Sequence, residues 1–185
     1  MTETPEPRAS RCDRSTGLPK SANRHCIRRA GPADAPGLTQ IAMAAKRHWG
    51  YPASYIQLWR DELTFTPAFI SRNEVFVACR DGQIVGVSAL ILHVPRGELE
   101  HLWVRPAWIG RGVGRQLFRH AARRAQACGC THLEIVADPF SEGFYLRMGA
   151  ERVGSVPQRP LGRRIPLLRY HISPVTDPEE PHEPR

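Results

Sequence analysis

The chain has 185 residues, 41% of them apolar, and a formal charge of +8. That length and apolar share suit one domain with a real core; no apolar run is long enough to span a bilayer, and the polar opening MTETPEPRASRCDRSTG lacks the apolar centre of a secretory signal. The cysteines (Cys12, Cys26, Cys79, Cys128 and Cys130) form no C-x-x-C pair and the histidines no paired spacing, so no metal site is expected and the thiols read as free in a reducing cytosol.

Residues 1–24 are rich in Pro, Ser, Thr and Arg without an apolar period, which predicts a disordered tail, as does the acidic segment 173–185. Between them, 25–172 reads as one domain. CIRRA is a short strand. Leu38, Ile41, Ala42 and Ala45 lie at helical spacing in the segment Pro32 to Trp49, with Asp34 as its cap, and Gly50-Tyr51-Pro52 breaks that helix. A second helix is expected over Ala53 to Leu63, with Ile56, Trp59 and Leu63 on one side. EVFVACR and QIVGVSALILHV are strands joined at Asp81-Gly82, a strong hairpin signal. GELEHLWV is the next strand. A glycine-rich loop then leads into a long helix, about Gly112 to Cys128, with Gly114, Leu117, Phe118, Ala121, Ala122 and Ala125 on one face. HLEIVA is a further strand. Asp138-Pro139 reads as an N-cap with proline at the first helical position, and the short helix stops at Gly149. Two strands close the domain, near Glu151 to Val156 and Arg164 to Ile172. This order predicts a mixed α/β (α+β) fold, with a mostly antiparallel sheet of about seven strands and helices on both faces.

Charge is concentrated on the glycine loop. Residues 25–172 carry a net +9, and no acid falls between Glu100 and Glu134, where Arg105, Arg111, Arg115, Arg119, Arg123 and Arg124 all lie. An anionic ligand is the natural expectation. The loop WVRPAWIGRGVGRQLF is not a Walker loop, because no Lys-Ser or Lys-Thr follows its glycines. It is not a dinucleotide fingerprint either: Leu117 replaces the third glycine, and the strand ELEHLWV before it is studded with charge. A strand that ends at Val104, turns through glycines and opens a helix points backbone N–H groups at a positive helix end, which suits a pyrophosphate.

VRPAWIGRGVGRQLF resembles the acetyl-CoA-binding signature of GNAT-type N-acetyltransferases. The resemblance extends over most of 25–172, including the E-x-L-W-V strand and GFYLRMGA. Two positions depart from the family pattern: Ile109 stands where Arg or Gln is usual, and Ala150 where Phe is usual. The resemblance implies acetyl-CoA as cosubstrate, held by Leu102, Trp103, Val104, Ile109, Gly110, Arg111, Gly112, Val113, Gly114 and Arg115, and transfer of its acetyl group to an amine. It implies Tyr145 as the acid that protonates the departing thiolate. Glu100 is the candidate base, with Glu98 and His101 as substitutes, and a backbone N–H near Val104 is the candidate oxyanion donor. Period-two alternation places Glu98, Glu100, Leu102 and Val104 on one face of their strand and Leu99, His101 and Trp103 on the other.

The acceptor wall is expected at the junction of the first helices. There KRHWGYPASYIQLW offers His48, Trp49 and Tyr51 around a Gly-Pro break, a groove of amphipathic rings suited to an apolar or cationic small amine; the acceptor is expected to be a small-molecule or peptide amine. Trp59 and Tyr55 fit core spacing. The arginines 111, 115, 119 and 123, four apart, read as a solvated helix face rather than a nucleic-acid surface. A non-catalytic acyl-CoA sensor is the rival reading, a cytoplasmic location is expected, and homodimerisation is left open.

Overall fold

The computed structural model describes residues 26–158 and 162–173; the expected tails at 1–24 and, beyond Ser173, at the C-terminus lie outside them. Seven strands form one sheet: β1 (Cys26–Arg29), β2 (Glu74–Arg80), β3 (Gln83–His93), β4 (Arg96–Val104), β5 (His132–Val136), β6 (Glu151–Pro157) and β7 (Arg164–His171). Their order is β1-β2-β3-β4-β5-β7-β6. Every pairing is antiparallel except β4 with β5. The β2–β3 hairpin turns at Asp81-Gly82, both at positive φ (50° and 78°), the conformation that an Asp-Gly pair tolerates.

Helices α1 (Ala35–His48), α2 (Ala53–Leu58), α3 (Arg60–Leu63) and α4 (Pro67–Arg72) cover one face. Leu38, Ile41 and Ala42 of α1 and Trp59 pack there on Val75, Val77, Val87 and Ala89. The helix expected over Ala53 to Leu63 is divided at Trp59, yet Ile56, Trp59 and Leu63 are buried as the spacing required. Helix α4 was not anticipated. Its signal was Thr66-Pro67: the Thr66 hydroxyl accepts the Phe69 N–H at 3.0 Å, and proline occupies the first helical position. Asp34 caps differently from expectation. Its carboxylate takes the Gly31 N–H at 2.8 Å and pairs with Arg28, serving the 3-10 turn Pro32–Asp34 rather than α1.

Helices α5 (Val113–Ala127) and α6 (Glu142–Arg147) lie on the opposite face. Leu117, Phe118, Ala121 and Ala125 of α5 are fully buried, each large side chain contributing about 1.5–3 kcal/mol. Gly86 lets the first turn of α5 sit on β3: a Cβ there would come within 2.9 Å of Leu117 and 3.0 Å of the Trp103 carbonyl.

Two irregularities in β4 position the site. The β3–β4 register passes from Ala89↔His101 to Leu90↔Leu99, so Glu100 is a bulge residue. The bulge shifts the alternation that the sequence suggested. Leu99 joins Leu102 on the α5 side, among Phe118 and Ala121, while His101 and Trp103 turn to the α1 side. Secondly, β4 pairs with β5 only across Arg96–Glu98 and His132–Glu134. From Leu99 onward the two strands part and leave a gap between them.

Candidate active site

One side of the gap leads to the glycine loop. After the 3-10 turn Pro106–Trp108, Gly110 and Gly112 adopt φ of 80° and 82°, a region costly for any residue with a Cβ. Gly114 is different. It lies within α5, where an added Cβ would meet Phe144 and Val104 at ordinary contact distances of 3.6 and 3.7 Å. Thus two of the three glycines answer to backbone conformation and the third does not. Gly112 is the N-cap of α5 without a side-chain cap bond, so the first N–H groups of the helix have no intrahelical acceptor. A cavity of about 550 Å³ opens here, lined by Gly110, Gly112 and the arginines 80, 111, 115 and 119. Arg111 lies over the Trp108 ring at 5.2 Å. Ile109 is exposed and Val113 buried beneath the loop. The sequence reading missed Arg80, which ends β2 and reaches this cavity only through the sheet.

The gap itself is lined by backbone. The Arg105 N–H bonds to the Val85 carbonyl on β3. Alternation along the strand then turns the N–H groups of Val104 and Leu102 away from β3, toward the missing β5 partner. Trp103, placed with the loop by resemblance, instead directs its ring to the α1 face, 6.1 Å from Trp49.

Glu100 is exposed at the bulge. Desolvation first, then the charges of Glu98 and Glu62, hold its carboxyl above the ordinary value. Glu98 pairs with Arg96 at 2.7 Å. His101 is buried against Phe65 and Phe69, and its Nδ1 accepts the Trp103 indole N–H at 3.2 Å. Burial lowers its pKa to about 4, so it is neutral at physiological pH and a poor proton acceptor. Tyr145 packs between Phe118 and Phe144. Burial, reinforced by the charge of Asp138, raises its phenol well above the usual value and keeps it protonated.

The α1 face carries a polar cluster that the sequence concealed. Lys46 donates to Asp138 at 2.6 Å, and both side chains are almost fully buried. The Tyr51 hydroxyl donates to the same carboxylate at 3.0 Å and accepts from Arg163 Nη2 at 2.8 Å. Lys46 Nζ lies 4.7 to 5.5 Å from the ring centres of Trp59, Tyr51 and Trp103. Exposed Phe140 stacks on Trp49 and meets the edge of Tyr51. The structure therefore gathers Trp49 and Tyr51 with Trp103, but His48 is exposed and takes no part. Asp138 caps the turn that leads into α6, as its place before Pro139 suggested: its carboxylate accepts the Phe140 N–H at 3.0 Å and its carbonyl the Glu142 N–H at 3.1 Å, although regular α6 begins only at Glu142; the same carboxylate also binds Lys46 and Tyr51, ninety-two and eighty-seven residues earlier in the chain. Among the described residues no group of three or more His, Cys, Asp or Glu side chains could hold a metal ion.

The sequence pattern of the Acetyltransferase (GNAT) family matches residues 37–150. The chain belongs to that family. This GNAT chain is 32% identical over 123 residues to the aminoglycoside N(6')-acetyltransferase type 1 of Stenotrophomonas maltophilia, covering 58% of this chain and 71% of that protein. Its fold superposes on the PaiA N-acetyltransferase of Thermoplasma acidophilum, solved in complex with coenzyme A, with TM-score 0.67 and 17% identity over 80% of this chain and 99% of that one. It also matches a GCN5-related N-acetyltransferase of Rhodopseudomonas palustris with TM-score 0.69 and 21% identity over 80% and 95% of the two chains. No helix among the described residues is long and apolar enough to cross a membrane.

Proposed function

We propose that this GNAT protein moves an acetyl group from acetyl-CoA directly to a primary amine. The observation that carries the reading is the parting of β4 and β5 beyond Glu98, beside a helix start fronted by two left-handed glycines and four arginines. The helix end and arginines suit a diphosphate, and the gap offers the Val104 and Leu102 N–H groups to a thioester oxygen as negative charge develops there. Membership of the family and the likeness to an aminoglycoside N-acetyltransferase support the same chemistry.

The chain's own groups divide the proton work. Glu100, exposed at the bulge, takes the proton from the acceptor ammonium, directly or through water. His101 is too weakly basic for this role, and Glu98 is engaged by Arg96. The amine nitrogen forms the new bond to the acetyl carbon as the carbon–sulfur bond breaks, and Tyr145, held protonated, supplies a proton to the sulfur. Trp49, Tyr51 and Trp103 wall the acceptor side. The test is calorimetric titration with coenzyme A, together with steady-state rates for Tyr145→Phe. Binding should be measurable, and the variant should lose about 100-fold or more in kcat with acetyl-CoA affinity retained. Folded protein that shows no heat with coenzyme A, or an unchanged kcat, would overturn the assignment.

A further inference from the structure

The aromatic wall has already spent its ring faces on the protein's own cations. Lys46 lies over Trp59, Tyr51 and Trp103, and the Arg163 guanidinium lies 5.1 and 5.4 Å from the centres of Tyr51 and Trp59. A cationic ligand gains little from rings so occupied, and it meets like charge. Lys46 has its carboxylate in Asp138. Arg163 has none among the described residues: its partners are the Tyr51 hydroxyl and the Gln158 amide oxygen, both neutral. A half-buried guanidinium without a counter-anion is an unbalanced charge, and a carboxylate is its best geometric match. Next to it, the buried Trp59 indole N–H is a donor without an acceptor. At the other end of the same wall the charge reverses. Glu62 lies close enough to Lys46 to feel its field, and close enough to Glu100 to repel it. The acceptor side thus holds carboxylates at Glu62 and Glu100 and, on Tyr51, an arginine with no ion pair of its own among the described residues.

We infer that the acceptor is a zwitterionic primary amine of amino-acid type, its ammonium group at Glu100 and its carboxylate received by Arg163. This rests on the proposed acetyl transfer and names the substrate class for it. Arg163 enters from the segment between β6 and β7, so it selects the acceptor without touching the acetyl donor cavity, whose lining lies on the other face.

The experiment follows thiol release from acetyl-CoA with the full chain. Its panel holds free α- and ω-amino acids, the amides of the same compounds, and two polycations, spermidine and kanamycin. The best free acid should exceed its own amide by at least about tenfold in kcat/KM, and both polycations should be poor. Arg163→Gln should erase that preference with the loss falling on KM, while coenzyme A affinity stays at the wild-type value; Arg163→Lys should keep part of the preference. Acids and amides used equally, a preference for spermidine or kanamycin, or an acid preference that survives in Arg163→Gln would each overturn the inference while leaving acetyl transfer intact. Coenzyme A binding without acetylation of any free acid would do the same. Failure to bind coenzyme A at all would remove the underlying transfer reading and this one with it. The acid-to-amide comparison uses unaltered protein, so it stands even if the Arg163 variants fold poorly.

Discussion

The donor cavity and the acceptor wall lie on opposite faces of one sheet and are built on opposite principles. The donor side is backbone with a rim of charge: left-handed glycines, a helix start and arginines that line the cavity before it. The acceptor side is side chains: a buried ion pair, a shared tyrosine and stacked rings. Backbone recognition fits a ligand part that never varies, since any chain that makes the turn presents the same N–H groups. Side-chain recognition fits the part that differs from one enzyme to the next, because each contact can be replaced separately.

The comparison breaks most sharply at Lys46. Lys46→Met removes the cation from a carboxylate that is almost fully buried, and an unpaired charge of this kind costs about 3–5 kcal/mol. Urea unfolding should show this as a lowered midpoint with an unchanged slope. Lys46→Met combined with Asp138→Leu should recover part of the loss, because neither member of the buried pair is then left without its partner. A single variant as stable as the wild type would mean that water reaches the pair and that the acceptor side is no more buried than the donor side.

The same contrast governed what could be read from the sequence. The donor side was legible because its signals are local: Gly110 and Gly112 adjoin the helix they open, and the apolar face of α5 declares itself within one stretch of chain. The hairpin at Asp81-Gly82 was legible for the same reason. The acceptor cluster was not, since Lys46, Tyr51, Asp138 and Arg163 meet only after the chain has folded. Asp138-Pro139 carried the local signal of a helix cap, and the bond from the Phe140 N–H agrees with it, but nothing local disclosed that the same carboxylate also holds Lys46 and Tyr51. The bulge at Glu100 went unread as well: Leu99 and Leu102 stand three apart with Glu100 and His101 between them, a break in alternation that the register against β3 resolves into one extra residue. Arg80 reached the donor cavity by strand pairing, which the spacing of residues cannot disclose.

A smaller effect isolates the donor side. Gly112→Ala places a Cβ at φ 82° with no protein atom within 4 Å of it. The stability cost is the left-handed strain alone, about 1–2 kcal/mol. The new methyl group stands where an anion approaches the helix start, so coenzyme A should bind about tenfold more weakly by calorimetry, a loss of ~1.4 kcal/mol, while selectivity among acceptors stays as it was. Gly114→Ala, with ordinary contacts around its Cβ and a helical conformation, should be milder in stability. Equal stability losses in the two variants would contradict the distinction drawn between these glycines.

The smallest effect is the most specific to the junction of the two sides. Glu100 titrates above the ordinary carboxyl value in part because Glu98 repels its charge. Glu98→Gln removes that repulsion, so the Glu100 pKa should fall toward the ordinary value. The base works only when deprotonated, and activity therefore fades as pH drops through that pKa. Lowering the pKa must move the acidic limb of kcat/KM to lower pH when wild type and variant are measured with the same amine. Glu62→Gln should move it in the same direction and by less, since Glu62 is the weaker of the two neighbours. In Glu100→Gln the limb should vanish, leaving only the dependence set by the amine itself. A limb that persists there would assign the proton to another group, and one that moves to higher pH in Glu98→Gln would show that Glu98 does not act on Glu100 through its charge.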